Sequence, residues 1–593
     1  MDWRQELLAS GLWLLKTYVM VIVLCTIGVL LLKRTTQWGR QFWKLTGPYF
    51  SPRRHPRVLA VLALILLLTL MSVRLNVLFS NWYNGFYTAL QQLNVSAFWR
   101  EMLVFSALAA LHVVRSLLEF FVNQAFSIHW REWLNEHLLS RWLDRQAYYR
   151  SQYLDNPADN PDQRLQQDIA SLVSASLSLS MGVVNALVSI VAYTLLLWGL
   201  SGVLPLFGYQ IPRGMVFAIF IYVLIATLFA FRIGRPLIRL NFLNEQLNAD
   251  YRYALVRVRE YAENMAFYCG ERVEGALLRS RFGAVIANAW QIVYRSLKFQ
   301  GFNFVISQTA VVFPFIIQAK RFFAKQITLG DIMQTAQVFG SLHDNLSFFR
   351  QAYDDFASYR AVLNRLSGFD QAIDQANALP VPQRRTDGAR VALEHLTVRR
   401  PDGRPLVADA VLEVHAGEPL LIRGRSGVGK TTLLRAMAGL WPYCDGQVVR
   451  PEERVMFLSQ RPYLPLGTLR DALYYPHPAM ADNAAARQAL ADVQLGYLAE
   501  RLDEPADWTH ILSLGEQQRL AFGRLLVGKP QAAFLDEATS AMDEELEQAL
   551  YSMLRERLPQ AVLVSVGHRS TLLRHHPRQL TLEGEGQWAL AGA

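Results

Sequence analysis

Cysteine is scarce: Cys25, Cys269 and Cys444 are the three in 593 residues, and none sits in a C-x-x-C spacing. That excludes a disulfide framework and a cysteine zinc site. Charge is scarce as well. Only 18% of the residues are Asp, Glu, Lys or Arg, below the usual quarter, while 52% are hydrophobic. A soluble multidomain enzyme does not have this balance; a membrane protein does. The net charge of +10 comes with no basic stripe. Lys and Arg are scattered and concentrate beside apolar runs, so the surplus reads as membrane topology and lipid-headgroup contact, with no nucleic acid as partner. The first apolar run, 18–32, lacks an A-x-A-like cleavage site and closes on Lys33-Arg34. It reads as a retained helix rather than a removed signal peptide.

Six further runs, near 58–80, 101–126, 170–199, 214–235, 302–319 and 330–349, are candidate spans of a hydrocarbon slab about 30 Å thick. The last is weak, because Gln334, Gln337, His343, Asp344 and Asn345 interrupt it. The stretches 33–57, 127–169 and 237–300 hold 21 Lys/Arg, against 5 in 81–100, 200–213 and 320–329. That bias puts the first set inside the cell, with the C-terminal half in the cytosol. If 11–32 also spans, the N-terminus faces outward. Residues 33–57 carry seven Lys/Arg among Trp38, Phe42, Trp43 and Tyr49, the pattern of an amphipathic elbow on the inner leaflet. The inner connections 127–169 and 237–300 are long enough to hold structure of their own, with a short cross-helix at the tip. The expected organisation is an N-terminal helix and elbow over 1–56, a helical transmembrane domain over 57–377 and a proline-bearing linker over 378–388. An α/β domain with a mostly parallel sheet follows over 389–593.

The chemistry is concentrated in that last domain. Gly424-Arg425-Ser426-Gly427-Val428-Gly429-Lys430-Thr431-Thr432 fits G-x-x-x-x-G-K-[S/T]. It follows the apolar strand pattern Leu420-Leu421-Ile422 and opens a helix, which is the context a phosphate-binding loop requires. Backbone N–H groups and the helix N-terminus converge on phosphate, Lys430 reaches the β- and γ-phosphates, and the Thr431 hydroxyl sits on Mg²⁺. Downstream, Phe534-Leu535-Asp536-Glu537 ends an apolar strand in two carboxylates. Asp536 is placed for the metal's shell and Glu537 for the attacking water. Between them Leu512-Ser513-Leu514-Gly515-Glu516 is a polar turn opening a helix, 17 residues before the strand segment that ends in Asp536.

The order of these motifs, with Gln460 before the polar turn and His568 after Glu537, resembles the ATP-binding cassette superfamily. The resemblance implies ATP and Mg²⁺ as cofactors and an α-helical membrane domain of the type I exporter fold. Six core helices, a probable extra N-terminal helix and a P-loop nucleotide-binding domain make up that expectation. It implies that Gln460 contacts the metal, that Ser513, Gly515 and Glu516 meet nucleotide, that Asp543 belongs to the D-loop, and that His568 is the switch histidine. It implies a homodimer, since two cassettes sandwich two ATP molecules and each phosphate loop is completed by the partner's signature turn. Two positions depart from the family. The usual L-S-G-G-Q reads L-S-L-G-E, which keeps the backbone donors. Where many cassettes stack a Tyr on adenine this chain has Arg400, either a guanidinium on the base or a solvated surface arginine.

In the membrane half, Glu263-Asn264-Met265-Ala266-Phe267-Tyr268-Cys269-Gly270 with Glu274, and Asn160-Pro161-Asp162-Gln163-Arg164 with Asp168, resemble the peroxisomal fatty-acyl (ABCD) half-transporters. Their bacterial relatives include the BacA/SbmA-like uptake proteins. The likeness covers about 57–593 and implies a multi-pass protein of the bacterial inner membrane. His112, Arg115 and Glu119 share one helical face, as do Gln334 and Gln337; each is costly against lipid, so they are candidates for a wet cargo cavity. The other reading makes Arg115 and Glu119 an interhelical clamp. The expected activity is ATP-hydrolysing transport of an amphipathic or hydrophilic solute: a peptide, a cobalamin-like vitamin or an acyl-CoA-like molecule. Import through an exporter fold is open. The alternatives are a lipid or drug exporter and a membrane sensor ATPase.

Overall fold

Apolar stretches of about twenty residues, set in lipid, leave the backbone no partner but itself, and they form helices. The computed structural model describes residues 3–155, 157, 160–202, 204–206, 209–386, 390–452 and 454–592. It divides into two units, Met1–Arg141 with Ala158–Gln371, and Trp142–Pro157 with Ala372–Ala593.

The first unit opens with α1 (Trp3–Thr35), which ends on Lys33 and Arg34. Thr36 caps α2 (Gln37–Thr46), its hydroxyl accepting from Gly39 N–H at 3.1 Å. Helix α3 (Pro56–Gln91) follows, then α4 (Val95–Leu143). The tip of the first inner connection carries the single turn α5 (Ala147–Arg150) and belongs to the second unit. The turn α6 (Pro161–Gln163) leads through a π-helical turn into α7 (Ile169–Leu200). A two-stranded hairpin, β1 (Leu204–Leu206) and β2 (Tyr209–Ile211), leads to α8 (Gly214–Glu260). The short α9 (Ala262–Phe267) turns the chain into α10 (Glu271–Phe323), and α11 (Leu329–Ala378) follows, its residues up to Gln371 belonging to this unit. Among the described residues six helices are long and apolar enough to cross a membrane, α1 included. The weak final run lies on α11, a 50-residue helix that is not among those six.

Val77, Tyr193, Leu197, Ile219, Val338 and Phe339 are buried together and draw α3, α7, α8 and α11 into one core. Helix α1 packs on α3 and α7 through Val21, Leu66, Leu70 and Val184. It is also fastened by charge: Arg74 donates to Glu6 at 2.7 Å and to Ser10 Oγ at 2.9 Å. Arg74 therefore has a protein partner rather than only snorkelling to the interface. The elbow aromatics do not all face lipid either. Phe50 meets Trp130 of α4 edge-on at 5.1 Å and Tyr49 stacks parallel to that indole at 6.0 Å. Buried carboxylates fasten the helix ends: Asp370 takes Lys44 at 2.7 Å and also Arg141, while Asp168 takes Arg164 at 2.9 Å and Arg365 at 2.7 Å.

In the second unit the expected linker holds a strand, β3 (Gln383–Thr386), paired in parallel with a strand of the cassette. Residues 387–389, where the linker and the α/β domain were expected to meet, lie outside the described residues. Strand β3 sits at a sheet edge with every side chain exposed. Besides its backbone pairing, its Arg384 donates to the Ala438 carbonyl at 2.6 Å, and with every side chain exposed it leaves no apolar alternation in the sequence. Strands β4 (Arg390–Arg399) and β5 (Pro405–His415) form an antiparallel pair, and β6 (Leu420–Gly424) runs into α12 (Lys430–Ala438). Then come β7 (Cys444–Arg450), β8 (Val455–Leu458), β9 (Gly467–Thr468), α13 (Leu469–Tyr474) and α14 (Asn483–Asp492). After β10 (Pro505–Ala506), α15 (Trp508–Ile511) and α16 (Leu514–Gly528), the central strand β11 (Ala532–Asp536) follows. The chain ends with α17 (Glu544–Arg557), β12 (Val562–Val566), β13 (Arg578–Gly584) and β14 (Gln587–Ala591). One sheet has the order β14-β13-β6-β12-β11-β8, parallel except for β14; a second has the order β3-β7-β4-β5. The parallel strands β6, β11 and β12 are buried along nearly their whole length, as a sheet covered on both faces requires.

Candidate functional site

The site lies where β6, β11 and β12 end, the carboxyl edge of the parallel sheet, where open α/β sheets bind ligands. Gly424 at φ +143° and Gly429 at φ +116° shape the loop. A Cβ on Gly424 would meet the Leu582 carbonyl oxygen at 2.5 Å, so only glycine fits. Lys430 bends back over the loop and donates to the carbonyls of Gly424 at 3.0 Å and Arg425 at 3.1 Å. Burial pushes its ammonium below the ordinary lysine value, against the pull of Glu537 and Asp536. Ser426, Gly427, Val428 and Thr432 complete the turn into α12.

Thr431 Oγ1 donates to Asp536 Oδ1 at 3.1 Å. A hydroxyl and a carboxylate side by side are hard oxygen ligands, and they suit magnesium, which binds through one or two carboxylates plus substrate phosphates. Burial raises the Asp536 carboxyl, as does its neighbour Glu537, while Thr431 opposes the shift. Glu537, in the left-handed region at φ +49°, leaves the strand end sharply. Its two oxygens are held from opposite sides: Gln460 Nε2 donates to Oε2 at 3.3 Å and His568 Nε2 lies 3.4 Å from Oε1. The structure thus brings Lys430, Thr431, Asp536, Glu537, Gln460 and His568 together. Gln460 reaches Glu537 rather than the Thr431–Asp536 pair.

The signature turn is elsewhere. Ser513 caps α16, and Asp543 caps α17 by accepting from Leu546 N–H at 2.7 Å. Among the described residues no hydrogen bond or ion pair joins 424–432 to Ser513, Gly515 or Glu516. Arg400 is exposed in the turn after β4, held by its own backbone to Arg404 and Gly403.

Sequence reasoning missed the residues that tie these loops together. Gln518, fully buried, donates to the Gln460 carbonyl at 2.7 Å and to Ser540 Oγ at 3.0 Å, and accepts from Ala541 N–H at 3.0 Å. Arg569 donates to the Met542 carbonyl at 2.7 Å and the Ser540 carbonyl at 3.3 Å. Arg524, also buried, holds Tyr463 and Ala472 by their carbonyls at 2.7 Å each. The loops after Gln460, Glu537 and His568 are therefore joined by hydrogen bonds into a connected set. The only sequence signal was three polar side chains set close to the motif residues.

Behind β12, His576 is wholly buried; Nδ1 donates to the Leu572 carbonyl at 2.8 Å and Nε2 accepts from Ser565 Oγ at 2.9 Å. Burial, chiefly, lowers its pKa to about 4 despite the Leu572 bond, with His575 and Arg555 adding to the fall. The folded state binds this proton less readily than the unfolded chain. Stability is therefore complete above about pH 6.5 and falls as pH drops towards 4, by about 3 kcal/mol in all. The unfolding midpoint of the purified protein, followed by tryptophan fluorescence, should decline through that window, and His576→Gln should flatten the decline.

At the inward-facing candidates the structure separates two groups. Arg115 is buried and pairs with Glu119 on its own helix, and it donates to the Leu68 carbonyl of α3 at 3.2 Å. The pair is thus intrahelical, and the link between helices is Arg115 to backbone. Gln334 is spent on Asn84 at 2.8 Å and Asn81 at 3.0 Å. By contrast, among the described residues His112 Nδ1 and Gln337 Oε1 are buried with no hydrogen-bond partner, as are Asn123 Oδ1, His343 Nε2 and Ser347 Oγ.

Residues 45–323 match the family model described as ABC transporter transmembrane region 2, and 407–540 match the one described as ABC transporter. An uncharacterized ABC transporter ATP-binding protein of Haemophilus influenzae is 51% identical over 99% of this chain and 100% of that protein. The inner membrane ABC transporter ATP-binding protein YddA of Escherichia coli is 30% identical, over 88% of this chain and 94% of its own. ABC transporter D family member 2, chloroplastic, of Arabidopsis thaliana is 31% identical over 92% and 86%. A bacterial Atm1-family ABC exporter solved with ATP bound has the same fold, at a TM-score of 0.69 and 19% identity, over 92% of this chain and 96% of that one.

Proposed function

Because the chain belongs to the ABC half-transporters, with a multi-pass membrane region and an ATP-binding domain on one polypeptide, we propose that two copies form an ATP-hydrolysing transporter of the bacterial inner membrane. The observation that carries this reading is the placing of Glu537 between Gln460 and His568, next to Thr431 and Asp536. A carboxylate so held takes a proton from, or orients, the water that attacks the γ-phosphate. Lys430 and the loop N–H groups bind the β- and γ-phosphates. Magnesium, held by Thr431 and Asp536 with Gln460 nearby, supplies positive charge to those phosphates when bound. Arg400, exposed in the turn after β4, is the candidate to stack on adenine; the other reading leaves it a solvated surface arginine.

Homodimer formation is supported by the separation of the signature turn from the phosphate loop within one chain. Ser513, Gly515, Glu516 and the D-loop Asp543 then serve the partner's nucleotide. Closing the two cassettes displaces Gln460, and through Gln518, Arg569 and Arg524 the surrounding loops, so hydrolysis is linked to the membrane half.

The cargo is an amphipathic or hydrophilic solute, of peptide, cobalamin-like or acyl-CoA-like class. Support comes from the unpartnered buried atoms of His112, Asn123, Gln337, His343 and Ser347. Each such group costs roughly 1–3 kcal/mol, so an arrangement in which the helices part and these groups meet water or cargo is favoured over a greasy slot. The test is ATP-dependent flux of labelled peptide, cobalamin and acyl-CoA into proteoliposomes holding the pure protein, in both orientations. Flux of one of them that vanishes with Glu537→Gln is the expected result. ATP turnover that no candidate stimulates, with no flux, would favour a membrane sensor ATPase.

A further inference from the structure

The signature turn is built around a carboxylate. Glu516 Oε2 accepts from both the N–H and the hydroxyl of Ser513, at 2.8 and 2.7 Å, and Glu516 N–H in turn points at Ser513 Oγ at 3.4 Å. This is a closed capping box. It has a consequence for anion binding: the Ser513 proton is already given to a carboxylate, and a full negative charge sits in the first turn of α16. That charge offsets the partial positive charge with which a helix N-terminus attracts phosphate. A glutamine would make the same box without it.

The other oxygen of Glu516 is not left to solvent. It accepts the hydroxyl of Tyr497, and Arg519 stands 3.9 Å from it. Tyr497 is 63% exposed, so its ring contributes little to the core. The residue sits in the short 3-10 turn Gly496–Arg501, outside every motif of the site. Its placement is explained by the hydroxyl. The bond holds the Glu516 carboxyl below its ordinary value, helped by Ser513 and Arg519 and opposed by burial.

We propose that Tyr497 is a positioning residue: its hydroxyl fixes the Glu516 carboxylate and aims its O–H dipole at that charge, so that Ser513 and the start of α16 can accept an ATP γ-phosphate. This rests on the two-copy sandwich described above. Without Tyr497 the carboxylate keeps Ser513 and its charge but gains freedom and loses the O–H dipole aimed at it, so it repels the incoming phosphate more strongly. Tyr497 does not touch nucleotide; it acts through Glu516.

A four-enzyme comparison tests this, using the full chain in lipid nanodiscs and measuring kcat and KM for MgATP. Tyr497→Phe should lower kcat/KM about tenfold, mainly through KM, the effect of losing one hydrogen bond to a charged group. Glu516→Gln should raise it several-fold, because the repelling charge is gone. In the Glu516→Gln background, Tyr497→Phe should change nothing beyond twofold. An equal loss in both backgrounds would overturn the proposal, since Tyr497 would then act on the fold and not on the charge. No effect of Tyr497→Phe in the native background would overturn it as well. Thermal unfolding of each variant guards against misfolding. Absence of ATP turnover in the unmodified protein would instead count against the ATPase reading itself.

Discussion

Glu537→Gln is expected to lower steady-state ATP turnover by about 100-fold or more, while KM for ATP stays within a few-fold. The general base or water-orienting group contributes about 10²–10⁴ in rate, and an amide cannot accept the proton. Binding survives because it is carried by other groups: the loop from Gly424 to Thr432, the Lys430 ammonium and the Thr431–Asp536 pair. Gln460 and His568 both aim at the replaced side chain, and an amide of the same length keeps partners for them, so the loops stay in place. A phosphate-release assay on the purified protein measures both quantities. Turnover that persisted at the native rate would show that Glu537 does not act on the water.

Asp168→Ala is expected to destabilise the helical unit by about 3–5 kcal/mol, the range for stripping one partner from a buried ion pair. Asp168 is 2% exposed and Arg164 is 5% exposed. Arg365 grips both oxygens of the carboxylate, at 2.9 and 2.7 Å, and Arg164 adds a third bond at 2.9 Å. Burial tends to raise this carboxyl, but the bonds to Arg365 and Arg164 prevail and hold it below the usual carboxylate range. Removing it takes this carboxylate away from the buried guanidinium of Arg164. Arg365→Ala takes two of the three bonds from the buried carboxylate but leaves Arg164 on it, so it should cost less, about 1–3 kcal/mol. Unfolding midpoints of the two variants in the same detergent give the comparison. Equal losses would contradict the assignment of the cost to Arg164.

The nucleotide site was readable because its chemistry is local. Gly424 to Thr432 are consecutive, and Asp536 and Glu537 end one strand, so spacing alone fixes which atoms can meet phosphate. The ion pairs between helices were not readable. Glu6 and Arg74 stand 68 residues apart, and no periodicity says that one will find the other. Gln334 looked like a cavity residue because polarity on an apolar helix is visible in sequence, whereas its partners Asn81 and Asn84 on another helix are not. Strand β3 was hidden for a different reason: its side chains are all exposed, so an edge strand held by its backbone and one arginine shows no apolar alternation. Gln518 falls two residues after Glu516, yet only the folded loops reveal that its one amide serves both Gln460 and Ser540. Long helices, sheet and phosphate loop follow from pattern; the cross-links between them follow from the fold.

In the proposed transporter the nucleotide site is finished by a second copy. ATP turnover should be measured in nanodiscs sorted by mass into those holding one chain and those holding two. Hydrolysis confined to the two-chain particles, and lost when both chains carry Ser513→Arg, is the result predicted. Full specific activity in particles with a single chain would contradict it.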